Sequence, residues 1–288
     1  MIPLDEVRRT VDRHGYRRVL FHLPAGLMCE WQSLSGLVPE PLFVAEPCFG
    51  SCDVPFFLLE KFKADAIFAF GHSKPVSLKL PGNIHFFEVA MDFDASFIPP
   101  FKRVGLVYAI QYKKAAGKYA GRLQKAGRQV VMGGRPGFMA TYKGQVTGCD
   151  IEAARSVLDE VDGFVVCSDG LFHAQAVAVL GKPVFNWQGE PAEPPKYPVA
   201  LLSTAKTVGI LMSSKIGQFD LAGAEKLRKR LEELGKSVVM VAGDMVTDEI
   251  ENFKVDFWVV TACPRIAQDR PKSAPLASAN AYIKGIYK

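Results

Sequence analysis

Three short apolar stretches, each introduced by basic residues, recur at similar intervals along the chain. They are RRVLFHL at 17–23, KRVGLVYA at 102–109 and KTVGILMS at 206–213. Continuous apolar runs of this length are typical of strands buried on both faces of a parallel sheet. Segments containing proline, at 97–101 and 190–198, separate them, and proline interrupts both helices and central strands. The pattern predicts three units of βαβ type.

A gapless match covers the second half of each unit. Its copies begin at Cys52, Cys149 and Gly243, and the next residue in each is aspartate. Twelve residues after the start, each copy has a small apolar residue and another aspartate, followed by the strand-like runs AIFAF, GFVVC and FWVVT. We expect Asp53 and Asp150 to cap the intervening helices by accepting backbone N–H bonds. The register predicts an internal threefold repeat.

Two special positions follow from this register, one before the predicted helix and one after the next strand. The position before the helix holds Cys52, Cys149 and Gly243 in the three copies. The position after the strand holds His72, Asp169 and Cys263. Both lie at the carboxyl ends of strands, where open α/β sheets bind ligands. Three units around a pseudo-threefold axis would bring three thiols to one centre. Thiolates suit zinc and iron–sulfur clusters, but single cysteines are often buried apolar residues, and both interpretations stay open here.

Composition narrows the classes of protein to consider. The chain has 288 residues, 49% of them hydrophobic and 23% charged, which is ordinary for a globular protein. No apolar run has the length of a membrane span, and no signal peptide is recognisable, so we expect a cytoplasmic protein without a membrane partner. The net charge of +5 is mild, and no basic–aromatic stripe indicates direct binding of nucleic acid.

Six cysteines are present, and in a reducing cytoplasm metal ligation or catalysis explains special cysteines better than disulfides do. No paired C-x2-C motif indicates a structural zinc site. Cys48 and Cys52 form C-x3-C, but Pro55 stands where the usual cluster motif of radical enzymes has its third cysteine. We expect Cys29, Cys48 and Cys167 to be structural.

Five motifs together resemble the archaeal diphthamide synthase family, whose members make the first modification of a histidine in elongation factor 2. The motifs are EPCFGSCDVP (46–55), FGHSKP (70–75), GQVTGCD (144–150), SDGLFHA (168–174) and TACPRIAQD (261–269). The resemblance spans nearly the whole chain, in the family's order. The combination is specific, although each motif alone is short.

The resemblance implies an α/β fold of three similar βαβ-type domains around a pseudo-threefold axis. The expected domains are 1–100 with Cys52, 101–203 with Cys149, and 204–288 with Cys263. These three cysteines would hold a central [4Fe–4S] cluster. The resemblance also implies a homodimer, elongation factor 2 as the protein substrate, and an electron donor that the sequence does not identify.

The family's reaction is an unusual use of S-adenosylmethionine as a co-substrate. As the resemblance implies, the reduced cluster sends an electron into the sulfonium and the bond to the methionine γ-carbon breaks. This step yields methylthioadenosine and a 3-amino-3-carboxypropyl radical, which adds to C2 of the target imidazole. The enzyme would therefore be a 3-amino-3-carboxypropyl transferase.

The loops after the equivalent strands supply further candidates for the S-adenosylmethionine pocket: His72, Ser73, Asp169, His173 and Arg265. Arg265 could pair bidentately with the methionine carboxylate, or form a surface ion pair. His72 could contact the ligand, or bond to backbone as a structural histidine. Asp169 could bond a ribose hydroxyl, or cap its own turn.

Other interpretations stay open at this point. A quinolinate synthase-like enzyme also combines three α/β domains with one three-cysteine cluster. A noncatalytic partner subunit, or a zinc-stabilised binding module, would bind a partner without cleaving S-adenosylmethionine. The approach to Cys149 is longer than its counterpart in the third unit, so RPGFMATYKGQVTG (135–148) is either a mobile flap or a long surface loop.

Overall fold

The computed structural model describes residues 2–269 and 274–279, which form three four-stranded sheets. The first sheet contains β1 (Arg18–His22), β2 (Glu40–Phe43), β3 (Ala66–Phe70) and β4 (Ile84–Phe87). The second contains β5 (Arg103–Tyr108), β6 (Gln129–Met132), β7 (Gly163–Cys167) and β8 (Val184–Asn186). The third contains β9 (Thr207–Ser213), β10 (Ser237–Gly243), β11 (Phe257–Val260) and β12 (Leu276–Ser278).

The three sheets have the same topology. All strand pairs are parallel, and in each sheet the second strand along the chain lies at one edge, followed by the first, third and fourth. The apolar stretches predicted from the sequence are the central strands β1, β5 and β9, and the strand-like runs are β3, β7 and β11. The prediction of an α/β fold built from three similar units is confirmed.

Helices connect these parallel strands. The α-helices are α1 (Leu4–His14), α2 (Trp31–Ser35), α3 (Leu58–Phe62), α4 (Lys113–Lys125), α5 (Glu152–Arg155), α6 (Phe172–Ala178), α7 (Ala200–Thr204), α8 (Leu221–Glu233) and α9 (Pro264–Asp269). Shorter 3-10 turns lie at Ala25–Glu30, Ile110–Tyr112, Leu158–Glu160 and Asp248–Phe253. Among the residues that the structure describes, no helix has the length and apolar character needed to cross a membrane.

The cores lie on both faces of each sheet. All five residues of β3 are buried, and so are all five of β7. In the first sheet Phe21, Phe68 and Phe70 pack on one face, whereas Leu20 and Ile67 pack on the other. Burial on both faces explains why these strands read as continuous apolar runs without alternation.

An aspartate before each third strand ties that strand to the first strand of its sheet. Asp65 Oδ2 accepts the backbone N–H groups of Arg17 and Arg18, both at 2.8 Å. Asp256 makes an equivalent pair of bonds in the third sheet. In the second sheet Asp162 accepts bonds from the guanidinium and the backbone N–H of Arg103. The bonds stabilise the ionised carboxylates and lower the pKa of all three aspartates. The twelve-residue spacing in the sequence therefore reflects a structural repeat.

Contacts along the chain divide it into two compact units, Met1–Pro194 and Pro195–Lys288. The first unit contains the first two sheets, and the second contains the third sheet. Each sheet lies inside one of the predicted domains, but the division into three domains stays a prediction. The arrangement of the units around a common axis also stays a prediction.

Candidate functional site

The first candidate thiol lies in the loop between β2 and α3. Cys52 is half-buried, and the next residue, Asp53, is buried. The Asp53 carboxylate accepts the backbone N–H groups of Phe49 at 2.9 Å and Gly50 at 3.4 Å. The carboxylate therefore holds the loop that leads into Cys52.

The expected capping role of Asp53 is wrong. Helix α3 begins at Leu58 and has no side-chain cap. Pro55 lies between the two residues, and proline carries no backbone N–H group that the Asp53 carboxylate could accept. The carboxylate bonds instead to the loop that precedes it.

Cys48 belongs to the same loop and is buried. Its Sγ lies 3.6 Å from Asp53 Oδ1 and 3.5 Å from His72 Nδ1. Burial raises the pKa of this thiol well above its usual value, and the Asp53 charge adds to the effect. Donor atoms of His22, Cys48 and Asp53 lie within 4.8 Å of one another, close enough for a metal ion. Asp53 also accepts two backbone N–H groups, so hydrogen bonds account for the positions of Cys48 and Asp53 in this cluster.

The second candidate thiol lies in the loop that leads into α5. Cys149 is exposed as a residue, with its Sγ 3.3 Å from Thr147 Oγ1. Local desolvation around the sulfur raises the pKa of this thiol, and the charge of Asp150 contributes in the same direction. Ligation by a thiol requires its deprotonation, so metal binding here would release a proton.

The aspartate after Cys149 repeats the arrangement seen after Cys52. Asp150 is 3% exposed, and its Oδ2 accepts the backbone N–H groups of Met139 at 2.7 Å and Ala140 at 3.0 Å. Its Oδ1 accepts the N–H of Glu152, the first residue of α5, at 3.2 Å. Asp150 thus accepts an N–H group at the start of α5, as expected, but it is not the N-cap residue: Ile151 holds that position and makes no side-chain cap bond. The same carboxylate also binds a distant part of the loop.

The loop after β3 contains two predicted pocket residues that are engaged within the protein. His72 Nδ1 lies 3.1 Å from the carbonyl oxygen of Phe70, and burial lowers the pKa of this imidazole. Ser73 is buried, and its Oγ accepts a bond from Gln145 Nε2 at 2.8 Å. The bond from His72 to backbone matches the structural alternative considered above.

Asp169 and His173 lie after β7. Asp169 is exposed, and its carboxylate accepts a hydrogen bond from the hydroxyl of the buried Tyr112. Burial raises the pKa of Tyr112, and the bond to Asp169 raises it further. His173 lies in α6 with its ring packed edge-on against Phe172, at a centroid distance of 5.4 Å.

The third candidate thiol belongs to the second compact unit. Cys263 is half-buried and lies between β11 and α9. Arg265 is exposed on α9. In this unit Gly243 ends β10 where the other copies have cysteine, and Asp244 lies 3.3 Å from the Ser214 hydroxyl. The third thiol therefore comes from the loop after the third strand, as the repeat register predicted.

Sequence reasoning missed Gln145 and the anchoring of the long loop before Cys149. Besides the bond from Gln145, Thr141 Oγ1 donates to the Lys74 carbonyl at 2.6 Å. The backbone N–H of Ser77 donates to the Phe138 carbonyl at 3.0 Å. These bonds attach the loop to the segment after β3, which supports the long-loop interpretation over a free flap. Only the presence of Gln145 inside the GQVTGCD motif could have drawn attention to it.

Comparison with known proteins covers most of the chain. Residues 32–191 and 196–276 match the family model "Putative diphthamide synthesis protein". The chain belongs to this diphthamide synthesis family. Membership removes the quinolinate synthase-like alternative, which would place the chain in another family.

Relatives of this diphthamide synthesis protein are known in sequence and in structure. It is 26% identical to a 2-(3-amino-3-carboxypropyl)histidine synthase from Pyrococcus horikoshii, over 93% of this chain and 84% of the relative. The crystal structure of Dph2 from Pyrococcus horikoshii superimposes with a TM-score of 0.85 at 24% identity, covering 100% of this chain and 91% of that one. The crystal structure of the same protein with a 4Fe-4S cluster gives 0.82 at 23% identity, covering 98% and 90%. The likeness to these solved structures establishes the shared fold.

Proposed function

We propose that this chain is a 2-(3-amino-3-carboxypropyl)histidine synthase, the transferase of the first step of diphthamide biosynthesis. It transfers a 3-amino-3-carboxypropyl group from S-adenosylmethionine to C2 of a histidine in elongation factor 2. The observation that carries the proposal is the match of residues 32–191 and 196–276 to this family, together with the places of Cys52, Cys149 and Cys263 in loops of three different sheets.

The cofactor of the proposed reaction is a [4Fe–4S] cluster held by Cys52, Cys149 and Cys263. The thiol chemistry of these residues suits a cluster, because iron–sulfur clusters are bound by cysteine thiolates. All three residues reach solvent at least partly, whereas Cys48 and Cys167 are buried. Three protein ligands leave one iron position for the substrate.

The cluster, when bound and reduced, supplies the electron that cleaves the bond between the sulfonium and the methionine γ-carbon. The chain's own residues bind and orient the co-substrate. We propose that Arg265 and Asp169, the two exposed candidates, contact the methionine carboxylate and the ribose. His72, Ser73 and His173 complete the pocket. The hydrogen bonds of His72 to the Phe70 carbonyl and of Ser73 to Gln145 hold these two side chains in place.

Further parts of the proposal concern assembly and context. We propose a cytoplasmic homodimer that receives electrons from a separate donor, and three similar domains at 1–100, 101–203 and 204–288. Family resemblance supports the dimer, and one sheet within each range supports the domains. Light scattering of the purified protein tests the dimer: a mass of one chain would contradict it.

The decisive experiment detects the cleavage product. The anaerobic protein is reconstituted with iron and sulfide, reduced with dithionite, given S-adenosylmethionine, and analysed by mass spectrometry. We expect methylthioadenosine from the wild type, and a loss of at least about a hundredfold in Cys52→Ala, Cys149→Ala and Cys263→Ala, because a missing ligand removes the cluster. Cys29→Ala, at an exposed cysteine outside the site, serves as the matched control.

Two outcomes would contradict the proposal. A wild-type protein with a full cluster and no methylthioadenosine would favour a noncatalytic partner subunit. Unchanged product from a cysteine variant would remove that residue from the ligand set. Incubation with elongation factor 2 and carboxyl-labelled S-adenosylmethionine then tests the acceptor, because label must appear on the factor.

A further inference from the structure

A buried chain of polar contacts joins the two cysteine loops of the first compact unit. It starts at Asp53, beside Cys52, and passes through the Cys48 thiol at 3.6 Å to the His72 imidazole at 3.5 Å. The next residue along the backbone, Ser73, bonds to Gln145 at 2.8 Å. The last step therefore crosses from the first sheet's loops to the loop of the second sheet.

Gln145 uses both ends of its amide. Its Oε1 accepts the backbone N–H groups of Thr141 at 2.8 Å and Tyr142 at 3.1 Å, while Nε2 donates to Ser73 Oγ. The side chain is 3% exposed and that of Ser73 is 4% exposed. Leaving a buried donor or acceptor without its partner is unfavourable, so these bonds strongly restrict where the loop can lie.

Asp150, the aspartate beside Cys149, binds the adjacent segment of the same loop. Asp150 accepts the N–H groups of Met139 and Ala140, directly before the Thr141 and Tyr142 groups that Gln145 binds. Gln145 and Asp150 thus fix four consecutive N–H groups of one loop. The amide of Gln145 extends this arrangement to the buried Ser73 hydroxyl, beside the more exposed bonds that Thr141 and Phe138 make to the segment after β3.

We propose that Gln145, through its bond to Ser73, is a positioning residue that holds the Cys52 and Cys149 loops ready for one shared cluster. This inference rests on the proposed function, since it takes both cysteines as ligands. The physical reason is preorganisation: ligands held in place by supporting hydrogen bonds do not have to be ordered when the metal binds.

The test compares three near-isosteric variants. Gln145→Met and Ser73→Ala each remove the Ser73–Gln145 bond and leave the other bonds between the two loops in place. Asn186→Leu is the matched control, because Asn186 is also buried, accepts two backbone N–H groups through Oδ1 and donates through Nδ2, but only within its own loop. The probe is Co²⁺, titrated anaerobically into the apoprotein and followed by its thiolate charge-transfer absorption, with iron content and the electron paramagnetic resonance signal of the reconstituted cluster measured in parallel.

We expect Gln145→Met and Ser73→Ala to weaken Co²⁺ binding at least about tenfold and to change the cluster signal, while Asn186→Leu keeps both at wild-type values. The double variant should bind Co²⁺ no more weakly than Gln145→Met alone, because the Ser73–Gln145 bond that Ser73→Ala removes is already absent in Gln145→Met. Equal Co²⁺ affinity and an unchanged signal in Gln145→Met would overturn the inference, and so would equal losses in Asn186→Leu. A wild type that takes up no cluster would instead contradict the proposed function itself.

Discussion

Two glycines in central strands make room for aromatic rings of the neighbouring strand. A Cβ atom on Gly105 would lie 2.4 Å from the Phe164 ring, and one on Gly209 would lie 2.3 Å from the Trp258 ring. At the same register the first sheet has two side chains of equal size, Leu20 beside Ile67. The glycines are therefore required where the third strand carries a ring that packs over the first strand, because a close-packed interior leaves no space for a Cβ atom there.

The close approach of the Trp258 ring to Gly209 makes Gly209→Ala a sharp test of packing at the residue scale. We expect the variant to lower the free energy of unfolding by about 1–3 kcal/mol, because the buried Trp258 ring must move to admit the methyl group. Equilibrium unfolding in urea measures the change. Gly117→Ala, in α4 with open space around its Cβ, is the control and should stabilise by about 0.5–1 kcal/mol through helix propensity. Equal stability of Gly209→Ala and wild type would contradict the packing argument.

At the scale of elements, an aspartate at an equivalent position in each of the three sheets binds the backbone at the start of the first strand. The chain must arrive at β1, β5 and β9 in register with the third strand, and Asp65, Asp162 and Asp256 supply that restraint. Because the bonded form is the ionised one, the pKa of each is lowered. The restraint therefore contributes to stability in a pH-dependent way.

Asp65→Asn tests this contribution. A carboxyl whose pKa is lower in the folded state stabilises the fold above its unfolded pKa of about 3.9, and the contribution is lost as pH falls through the folded pKa. We expect the variant to be less stable than wild type at pH 7, with the difference shrinking as the pH is lowered below 4. Urea unfolding across this range measures it. Asp12→Asn, at an exposed position of α1, should show no such convergence, and a constant difference for Asp65→Asn would count against the assignment.

At the scale of the whole molecule, the proposed cluster takes ligands from both compact units. Cys52 and Cys149 belong to Met1–Pro194, whereas Cys263 belongs to Pro195–Lys288. A ligand that binds only the folded state adds stability by mass action. A cluster held by both units would therefore also couple their unfolding.

Calorimetry of the loaded protein and the apoprotein tests this coupling. We expect the anaerobic loaded protein to unfold in one transition at higher temperature, and the apoprotein to separate into two transitions, one for each unit. The Cys263→Ala variant, which keeps two ligands in one unit, should behave like the apoprotein. An unchanged profile on removal of the cluster would exclude a bridging ligand.

Local regularities of the chain were accessible from sequence because they repeat. The strands around Val19, Val104 and Val208 read as apolar runs, since burial on both faces of a parallel sheet demands apolar residues at every position. The spacing between Cys52 and Asp65 recurs in the other two copies because an aspartate aligns the first and third strands in each unit. The candidate thiols followed from the same register.

The contacts of particular polar side chains could not be predicted from the sequence. Asp53 was expected to cap a helix. Because Pro55 follows it and α3 begins only at Leu58, its carboxylate instead accepts N–H groups of the preceding loop. Gln145 gave no periodic or compositional signal, because its bond to Ser73 depends on how two loops from different sheets meet. Hydrogen bonds between distant segments follow from packing and leave no spacing in the chain.

The sequence by itself determined the strands, the threefold repeat, the candidate cysteines and the family, because short-range hydrophobic order and short motifs are properties of the chain. Only the tertiary structure decided which carboxylates hold the cysteine loops, that Ser73 and His72 are engaged inside the protein, and that the loop before Cys149 is anchored. These outcomes depend on which buried donors meet which acceptors once the sheets have packed, and a buried polar group must take the partner that the fold brings to it.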